Sequence, residues 1–327
     1  MKAIFAPKYG SPDVLELREV EKPTPEADEV LIRIHAASVN AGDWHLLRAD
    51  PFLIRLMYGL TAPRHPILGS DVSGTVEAIG KDVTQFQVGD EVFGDLSGSG
   101  FGAFAEYATA PESRLAHKPA GLTFEEAAAV SVAAVTALQA LRDHGQIRPG
   151  MKVLINGASG GVGTYAVQIA KALGAEVTGV CSTRKMEMVR SIGADHVIDY
   201  TKEDFTQNGQ RYDLILAANG YQPLSAYERA LSPQGIYVMT GGTMAQMFQA
   251  MLLGPLKSKK GGKKMGNMLV KSTQQDLVFM KELLETGKVV PVIDRRYPLS
   301  QVPDAIRYLE AGHAKGKVVI VLDQTSG

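Results

Sequence analysis

Asn156-Gly157-Ala158-Ser159-Gly160-Gly161-Val162-Gly163 is the stretch that decides the fold. The apolar run Val153-Leu154-Ile155 before it reads as a short strand, and Thr164 to Leu173 after it reads as a helix ending at Gly174. A strand, a glycine turn and a helix in that order leave backbone N–H groups free at the positive end of a helix dipole. That end holds a pyrophosphate. Gly160 and Gly161 let the backbone approach the phosphates, and Gly163 lets helix and strand pack closely. Ala158 replaces the first glycine of the usual pattern, a small departure, and Ser159 and Val162 fill the positions between. A lone glycine cluster is as often a plain tight turn. The correct flanks and a further βα unit favour the dinucleotide site.

Downstream the rhythm continues. Glu176 to Val180 is a strand, Lys185 to Ile192 a helix, and His196–Ile198, Leu214–Ala217 and Ile236–Met239 are further strands. Strands alternating with helices indicate a parallel, doubly wound sheet, so the fold class is α/β. Upstream the character differs. Phe124 to Leu141 is Ala-rich and reads as one buried helix. Residues 1–120 read as strand and turn, with Val30, Ile32 and Ile34 alternating, Val72 to Ile79 a second strand, and prolines cutting the rest into short pieces. This half is β-rich. Thr273 to Thr286 is a plausible amphipathic helix, and Gly316 to Leu322 is a last strand.

Composition excludes several classes. Thirty-four Lys+Arg against 35 Asp+Glu give no global drive toward nucleic acid or acidic lipid. The one cysteine, Cys181, rules out an internal disulfide and any zinc site built on two or more thiolates. No apolar run reaches the roughly 18 residues of a spanning helix, and no signal-peptide pattern precedes Pro7, so a reducing cytoplasm is the expected location. One segment stays apart: an apolar, Met-rich stretch over Met244–Leu253, followed by Lys257, Lys259, Lys260, Lys263 and Lys264. It reads as a lid or dimer contact with a solvated loop, with contact to an anionic membrane as the alternative.

The second strand decides which dinucleotide is expected. An NAD site usually places an acid at the end of that strand to bind the ribose 2′-hydroxyl. Here the strand runs into Cys181-Ser182-Thr183-Arg184-Lys185, without Asp or Glu. A carboxylate would repel a 2′-phosphate, whereas hydroxyls and cations bind one. Ser182, Thr183, Arg184 and Lys185 therefore favour NADP(H) over the alternative of a solvated helix start. Asn219, after Leu214–Ala217, stands at a strand's C-terminal end, where ribose contacts are expected.

These motifs resemble the quinone oxidoreductase (ζ-crystallin) branch of the medium-chain dehydrogenase/reductase superfamily. The resemblance rests on Gly150–Leu154, the Ala158–Gly163 turn, Gln168 and Lys171, and on Ser38-Val39-Asn40, Leu68–Gly74, Val88–Val92 and Ala314–Val319. It spans essentially the whole chain. It implies a GroES-like catalytic domain from 1–122 and 267–327, a Rossmann domain over 123–266, an active site in the cleft between them, and a homodimer as the common assembly. It adds Thr136, Lys185, Tyr200 and Lys315 to the expected cofactor contacts.

The departures from the family's zinc enzymes bear on the chemistry. Where those enzymes place a Cys and the His of Gly-His-Glu, this sequence has Asn40 and Ser70, and the four-cysteine structural lobe is missing. His35, His45 and His65 remain, without metal-ligand spacing, so no metal is expected. Without a Lewis acid, reducing an electron-poor quinone or α,β-unsaturated carbonyl is easier than oxidising an alcohol. Asn40 is then the candidate donor to the substrate oxygen, with a turn residue as its bland alternative. Asp43 either orients it or caps a helix beginning near Trp44. Tyr58 protonates an enolate or packs in the core. The rival functions are an NADP-dependent alcohol dehydrogenase and an NADPH-binding redox sensor or structural protein with little turnover.

Overall fold

The computed structural model describes residues 1–242 and 262–322. In chain order it begins with β1 (Lys2–Phe5), β2 (Glu16–Glu19) and β3 (Glu29–Val39), then α1 (Ala41–Arg48) and α2 (Ile54–Tyr58). Next come β4 (Asp71–Ile79), β5 (Glu91–Asp95), β6 (Tyr107–Pro111), β7 (Leu115–His117), α3 (Phe124–Ala128) and α4 (Ser131–Gln139). The middle contains β8 (Lys152–Asn156), α5 (Gly161–Ala172), β9 (Glu176–Cys181), α6 (Met186–Ser191) and β10 (His196–Asp199). It continues with β11 (Tyr212–Ala217), α7 (Leu224–Ala230), β12 (Leu231–Met239) and β13 (Lys264–Asn267). The chain closes with α8 (Gln274–Glu285), β14 (Ile293–Pro298), α9 (Val302–Glu310) and β15 (Lys317–Val321). Among the described residues no helix is long and apolar enough to cross a membrane.

Two compact units form. The first takes Met1–Ala133, Lys271–Glu285 and Pro291–Gly327, and the second takes Ala134–Val270 and Thr286–Val290. Phe124–Ala133, grouped with the second domain in the sequence reading, thus packs with the first unit.

In the first unit β14-β15-β3-β4-β5-β7 make one sheet, with β6 also paired to β3. β15 runs antiparallel to β3, with Val318 opposite Val39. The C-terminal strand is therefore inserted beside an N-terminal one. Val30, Ile32, Ile34, Val72, Val92, Val318 and Ile320 are buried in one shared core. The single helix expected over Phe124–Leu141 is broken at Ala129-Val130. At the second helix start, the Val132 N–H donates to the Asp71 carboxylate at 2.7 Å. A first-turn N–H has no carbonyl of its own helix to meet, and this break gives it an acceptor.

In the second unit the six-stranded sheet has the order β10-β9-β8-β11-β12-β13. Every pair in it is parallel. Counted from β8 this is 3-2-1-4-5-6, the doubly wound order whose direction of winding reverses between β8 and β11. The sixth strand, β13, begins at Lys264, a residue read in sequence as part of a lysine loop. The Lys263 ammonium donates to the Glu228 carbonyl at 2.6 Å. Met244–Leu253, Lys257, Lys259 and Lys260 lie outside the described residues. Gln168 and Lys171 serve packing: Gln168 exchanges two hydrogen bonds with the Val290 backbone, at 3.0 and 2.8 Å. Lys171 pairs with Asp195 at 2.8 Å.

The glycine turn joins β8 to α5. Gly157 takes a left-handed φ of 86°, and a Cβ there would lie 2.9 Å from that of Asn219. A Cβ on Gly163 would lie 2.0 Å from the Gly157 carbonyl oxygen, so the first turn of α5 sits directly on the loop. Ala158 is fully buried and is not a positive-φ residue. Gly157 takes the left-handed position instead, which is why the missing glycine at 158 is tolerated. Gly163→Ala should therefore destabilise the protein by about 1–3 kcal/mol through overpacking. A lowered urea midpoint at unchanged m would register this, and an unchanged midpoint would contradict it.

Candidate functional site

The second unit carries the expected dinucleotide-binding elements at the C-terminal ends of its strands. α5 starts at Gly161 with Gly160 as its cap, and a Cβ on Gly160 would find only the Gly157 carbonyl, at 3.7 Å. The helix N-terminus thus has an open approach for an anion. Ser159 is buried beside it. Asn219 follows β11, and its N–H donates to the Asn156 carbonyl at 3.2 Å, which places it against the Gly157 turn. Thr136 is buried in α4. Gly157 was not among the residues singled out from sequence, although its φ shapes the turn.

At the end of β9 the structure adds an acid that the sequence reading had no means to place. Asp199 ends β10 and stands opposite Cys181 in the parallel register. Its carboxylate accepts from the Thr183 hydroxyl, and from the Thr201 N–H and hydroxyl at 3.0 and 2.7 Å. These bonds, that of Thr183 foremost, hold the Asp199 carboxyl below the usual carboxylate range. The Thr183 proton is therefore committed to Asp199. Arg184 is exposed, and Ser182 and Lys185 are partly exposed at the start of the next helix. Tyr200 and Tyr221 are exposed rings 5.5 Å apart. Burial pushes the Cys181 thiol up to about 11, so it is not a nucleophile at neutral pH.

The first unit holds a buried polar cluster around Asp71. Asp71 is 0% exposed and Lys317 2%. Asp71 accepts from the Ser38 hydroxyl at 2.5 Å, the Asn40 amide at 2.9 Å, the Lys317 ammonium at 3.0 Å and the Val132 N–H at 2.7 Å. The Lys317 ammonium also donates to the Asn40 amide oxygen at 2.6 Å. The strand registers make this cluster: Ser38 faces Asp71 across β3–β4, and Asp71 faces Asp95 across β4–β5. Lys317 stands one residue before Val318, and Asn40 one after its partner Val39. Asp95 accepts from the Ser272 hydroxyl at 2.6 Å, and burial raises its carboxyl pKa.

The structure bears on the alternatives stated for Asp43 and Tyr58, and it adds residues to the site. Asn40 itself precedes α1, so Asp43 is not the N-cap of a helix starting near Trp44. Asp43 lies one turn in, and its carboxylate accepts the Asn40 N–H at 2.7 Å. Lys317 and Asp71, quoted in sequence only within motifs, are central. Tyr58 is half-buried, packs on the first unit's core and lies 5.9 Å from the Phe101 ring. Among the described residues no hydrogen bond ties it to the Asn40 cluster. Lys315 is exposed, and its N–H donates to Asp294 at 2.9 Å.

Known proteins match the chain along its length. Residues 26–120 match the alcohol dehydrogenase GroES-like domain and residues 192–320 the zinc-binding dehydrogenase family. A chloroplast envelope quinone oxidoreductase homolog of Arabidopsis thaliana is 37% identical over 98% of both chains. The chain belongs to the quinone oxidoreductase branch of the medium-chain dehydrogenase/reductase superfamily. An NADPH-dependent alkenal/one oxidoreductase of Arabidopsis thaliana chloroplasts is 32% identical over 98% of this chain and 79% of its own. The quinone oxidoreductase of Coxiella burnetii superposes with a TM-score of 0.88 at 29% identity, covering 99% of each chain. The protein is thus an oxidoreductase of this superfamily, with a GroES-like unit and a Rossmann-like unit.

Membership raises the question of zinc, and the residues do not fit it. The motif resemblance sets Asn40 and Ser70, neither of them a thiolate or an imidazole, at the positions expected to bind the metal. The Asn40 oxygen already faces an ammonium at 2.6 Å, a neighbour that repels a dication. His35 stacks on Phe124 at 4.2 Å, His45 on Trp44 at 3.6 Å, and His65 meets the Phe101 edge at 6.5 Å. Among the described residues no group of three or more His, Cys, Asp and Glu is placed to hold a metal ion.

Burial pushes the Asp43 carboxyl up to about 7, against the bonds from the Asn40 and Gly69 N–H groups. The folded pKa lies above the ordinary 3.8. Between these values the native state holds a proton that the unfolded chain has lost, so this group's contribution falls as pH rises through that window. Comparing denaturant unfolding of the wild type and Asp43→Asn from pH 4 to 8 isolates it. The wild type should lose on the order of a few kcal/mol relative to the variant across that range. Parallel pH profiles would refute the buried, protonated carboxyl.

Proposed function

We propose that this protein is a zinc-independent, NADPH-dependent reductase of quinones or α,β-unsaturated carbonyls. The observation that carries this reading is the Asn40 amide, held between the Lys317 ammonium and the Asp71 carboxylate where zinc members carry a thiolate. The names of the relatives agree: one is a quinone oxidoreductase homolog and another an NADPH-dependent alkenal/one oxidoreductase.

When bound, NADPH supplies the hydride that the acceptor carbon receives. The chain's own residues bind, orient and stabilise. The N-terminus of α5, with Gly160 and Gly161, takes the pyrophosphate, and Gly157 shapes the turn. Ser182, Arg184 and Lys185 take the 2′-phosphate, and Tyr200 with Tyr221 flanks the adenine end. Asp199 keeps its charge, with its carboxylate held by Thr183 and Thr201 and the Lys202 ammonium 3.8 Å away, and Arg184 and Lys185 supply the cations that attract the phosphate against it. Asn40 donates to the acceptor oxygen as negative charge develops there. The proton that completes the reaction comes from water.

Changing Arg184 and Lys185 together to Ala should weaken NADPH binding about 10- to 100-fold, the size of one or two lost charge-assisted bonds. NADH affinity should stay within about twofold, since NADH lacks the 2′-phosphate. Fluorescence titration of both cofactors checks this, and equal weakening would remove these residues from 2′-phosphate recognition. Activity is tested with metal-stripped protein, NADPH and a panel of quinones, enones, 2-alkenals and ketones. Turnover with quinones or enones supports the reading, and turnover only after zinc is restored would overturn it.

A further inference from the structure

We infer that Lys317 and Asp71 are positioning residues that lock the Asn40 amide in one orientation, so that Asn40 meets the acceptor oxygen only as a hydrogen-bond donor. The inference rests on the reading above and deepens it.

An amide can present either its oxygen or its NH2 group to a neighbour, and an unconstrained asparagine samples both. Here the two neighbours remove the choice. The Lys317 ammonium has only protons to offer, and it lies 2.6 Å from the Asn40 oxygen. The Asp71 carboxylate offers lone pairs, and it lies 2.9 Å from the Asn40 nitrogen. Turning the amide over would set N–H against ammonium and oxygen against carboxylate, losing two charge-assisted bonds and creating two repulsions. The outward capacity left is the second N–H, whose nearest partner is the Ser38 carbonyl at the limiting distance of 3.5 Å.

The orienting pair is itself held. Lys317 is 2% exposed at the head of β15. Asp71 is fixed from its other sides by the Ser38 hydroxyl at 2.5 Å and the Val132 N–H at 2.7 Å. An Asp43 carboxyl oxygen accepts the Asn40 backbone N–H at 2.7 Å, which fixes the backbone from which the amide projects. An ammonium on the amide oxygen also draws electron density from the nitrogen, making the free N–H a stronger donor. A donor-only group suits an acceptor whose oxygen gains charge, such as a conjugated carbonyl. It provides no base to take the proton of an alcohol.

Kinetics on Lys317→Met, Asn40→Ala and the double variant test this. Loss of one donor costs about 100- to 1000-fold in kcat, and Asn40→Ala should fall in that range. Lys317→Met should lower kcat about 10- to 100-fold by misplacing the donor, with KM and NADPH affinity within about twofold. In the Asn40→Ala background the Lys317 change should have no further effect, because it acts through Asn40. Multiplying losses in the double variant would overturn the inference, as would unchanged kcat in Lys317→Met.

Side-chain amide NMR of the wild type gives a readout independent of turnover and of variant folding. One Asn40 side-chain proton should be shifted downfield and slow to exchange, while its geminal partner exchanges freely. Two fast, unshifted protons would overturn the locked orientation even in an active enzyme. Absent turnover with that asymmetric pair intact would sink the functional reading and leave the positioning standing.

Discussion

The Lys317–Asp71 pair is the constraint on which the first unit depends. Both residues are almost wholly removed from water, at 2% and 0% exposure. Taking two such charges out of water costs several kcal/mol each, and only close, saturated hydrogen bonding offsets it. Asp71 has four donors and Lys317 two acceptors, drawn from β3, β4, β15, the residue after β3 and the start of α4. They meet only when β15 lies beside β3 with Val318 opposite Val39. A slip of one residue would turn the lysine to the other face of the sheet and leave the aspartate unpaired. The pair contributes little net stability, yet it makes every register but one expensive.

The second unit reaches its specificity by steric means. Its central strands β8, β9 and β11 are largely apolar and buried on both faces, as parallel strands under helices must be. What is particular to it is the close approach at the β8–α5 turn, where Gly163 rests on the Gly157 carbonyl and Gly157 is pressed by Asn219. Polar side chains are then concentrated at the strand ends. Asp199 illustrates the logic there. Two threonines saturate its lone pairs and keep it ionised beside a basic helix start.

How much of this was legible in the sequence depends on the range of the interaction. The glycine turn, the strand before it and the helix after it are local, and their residues announce them. The doubly wound sheet followed from the alternation of apolar strands with helices. Contacts between distant strands were hidden. Nothing near Asn40 points to Lys317, which lies 277 residues away, and nothing near Cys181 points to Asp199. A signal for Lys317 did exist: it is a charged residue heading Val318-Val319-Ile320-Val321, a strand too apolar to leave it in solvent. α9 was missed for another reason. Its buried Val302, Ala305 and Ile306 keep helical spacing, but Pro303 in the first turn reads as a break unless the helix start is already known. The break inside the helical span over Phe124–Leu141 was hidden because it serves Asp71, a partner in another strand.

The same cluster bears on which reactions this branch can run. In a zinc member the metal stabilises an alkoxide outright, so an unactivated alcohol can give up hydride. An amide N–H is worth less, about 2.7–4 kcal/mol by the usual cost of removing one such donor. That is too little to carry a localised alkoxide, and enough to assist an oxygen that already shares its charge with a conjugated system. On the proposed reading, substrate choice therefore follows from the charge behind Asn40 as much as from the shape in front of it. An ammonium 2.6 Å from the amide oxygen makes the place repellent to a dication and favourable to an enolate or a hydroquinone anion. Restoring a thiolate at position 40 alone would then not rebuild a zinc enzyme, because Lys317 would pair with the new anion and occupy the place of the metal.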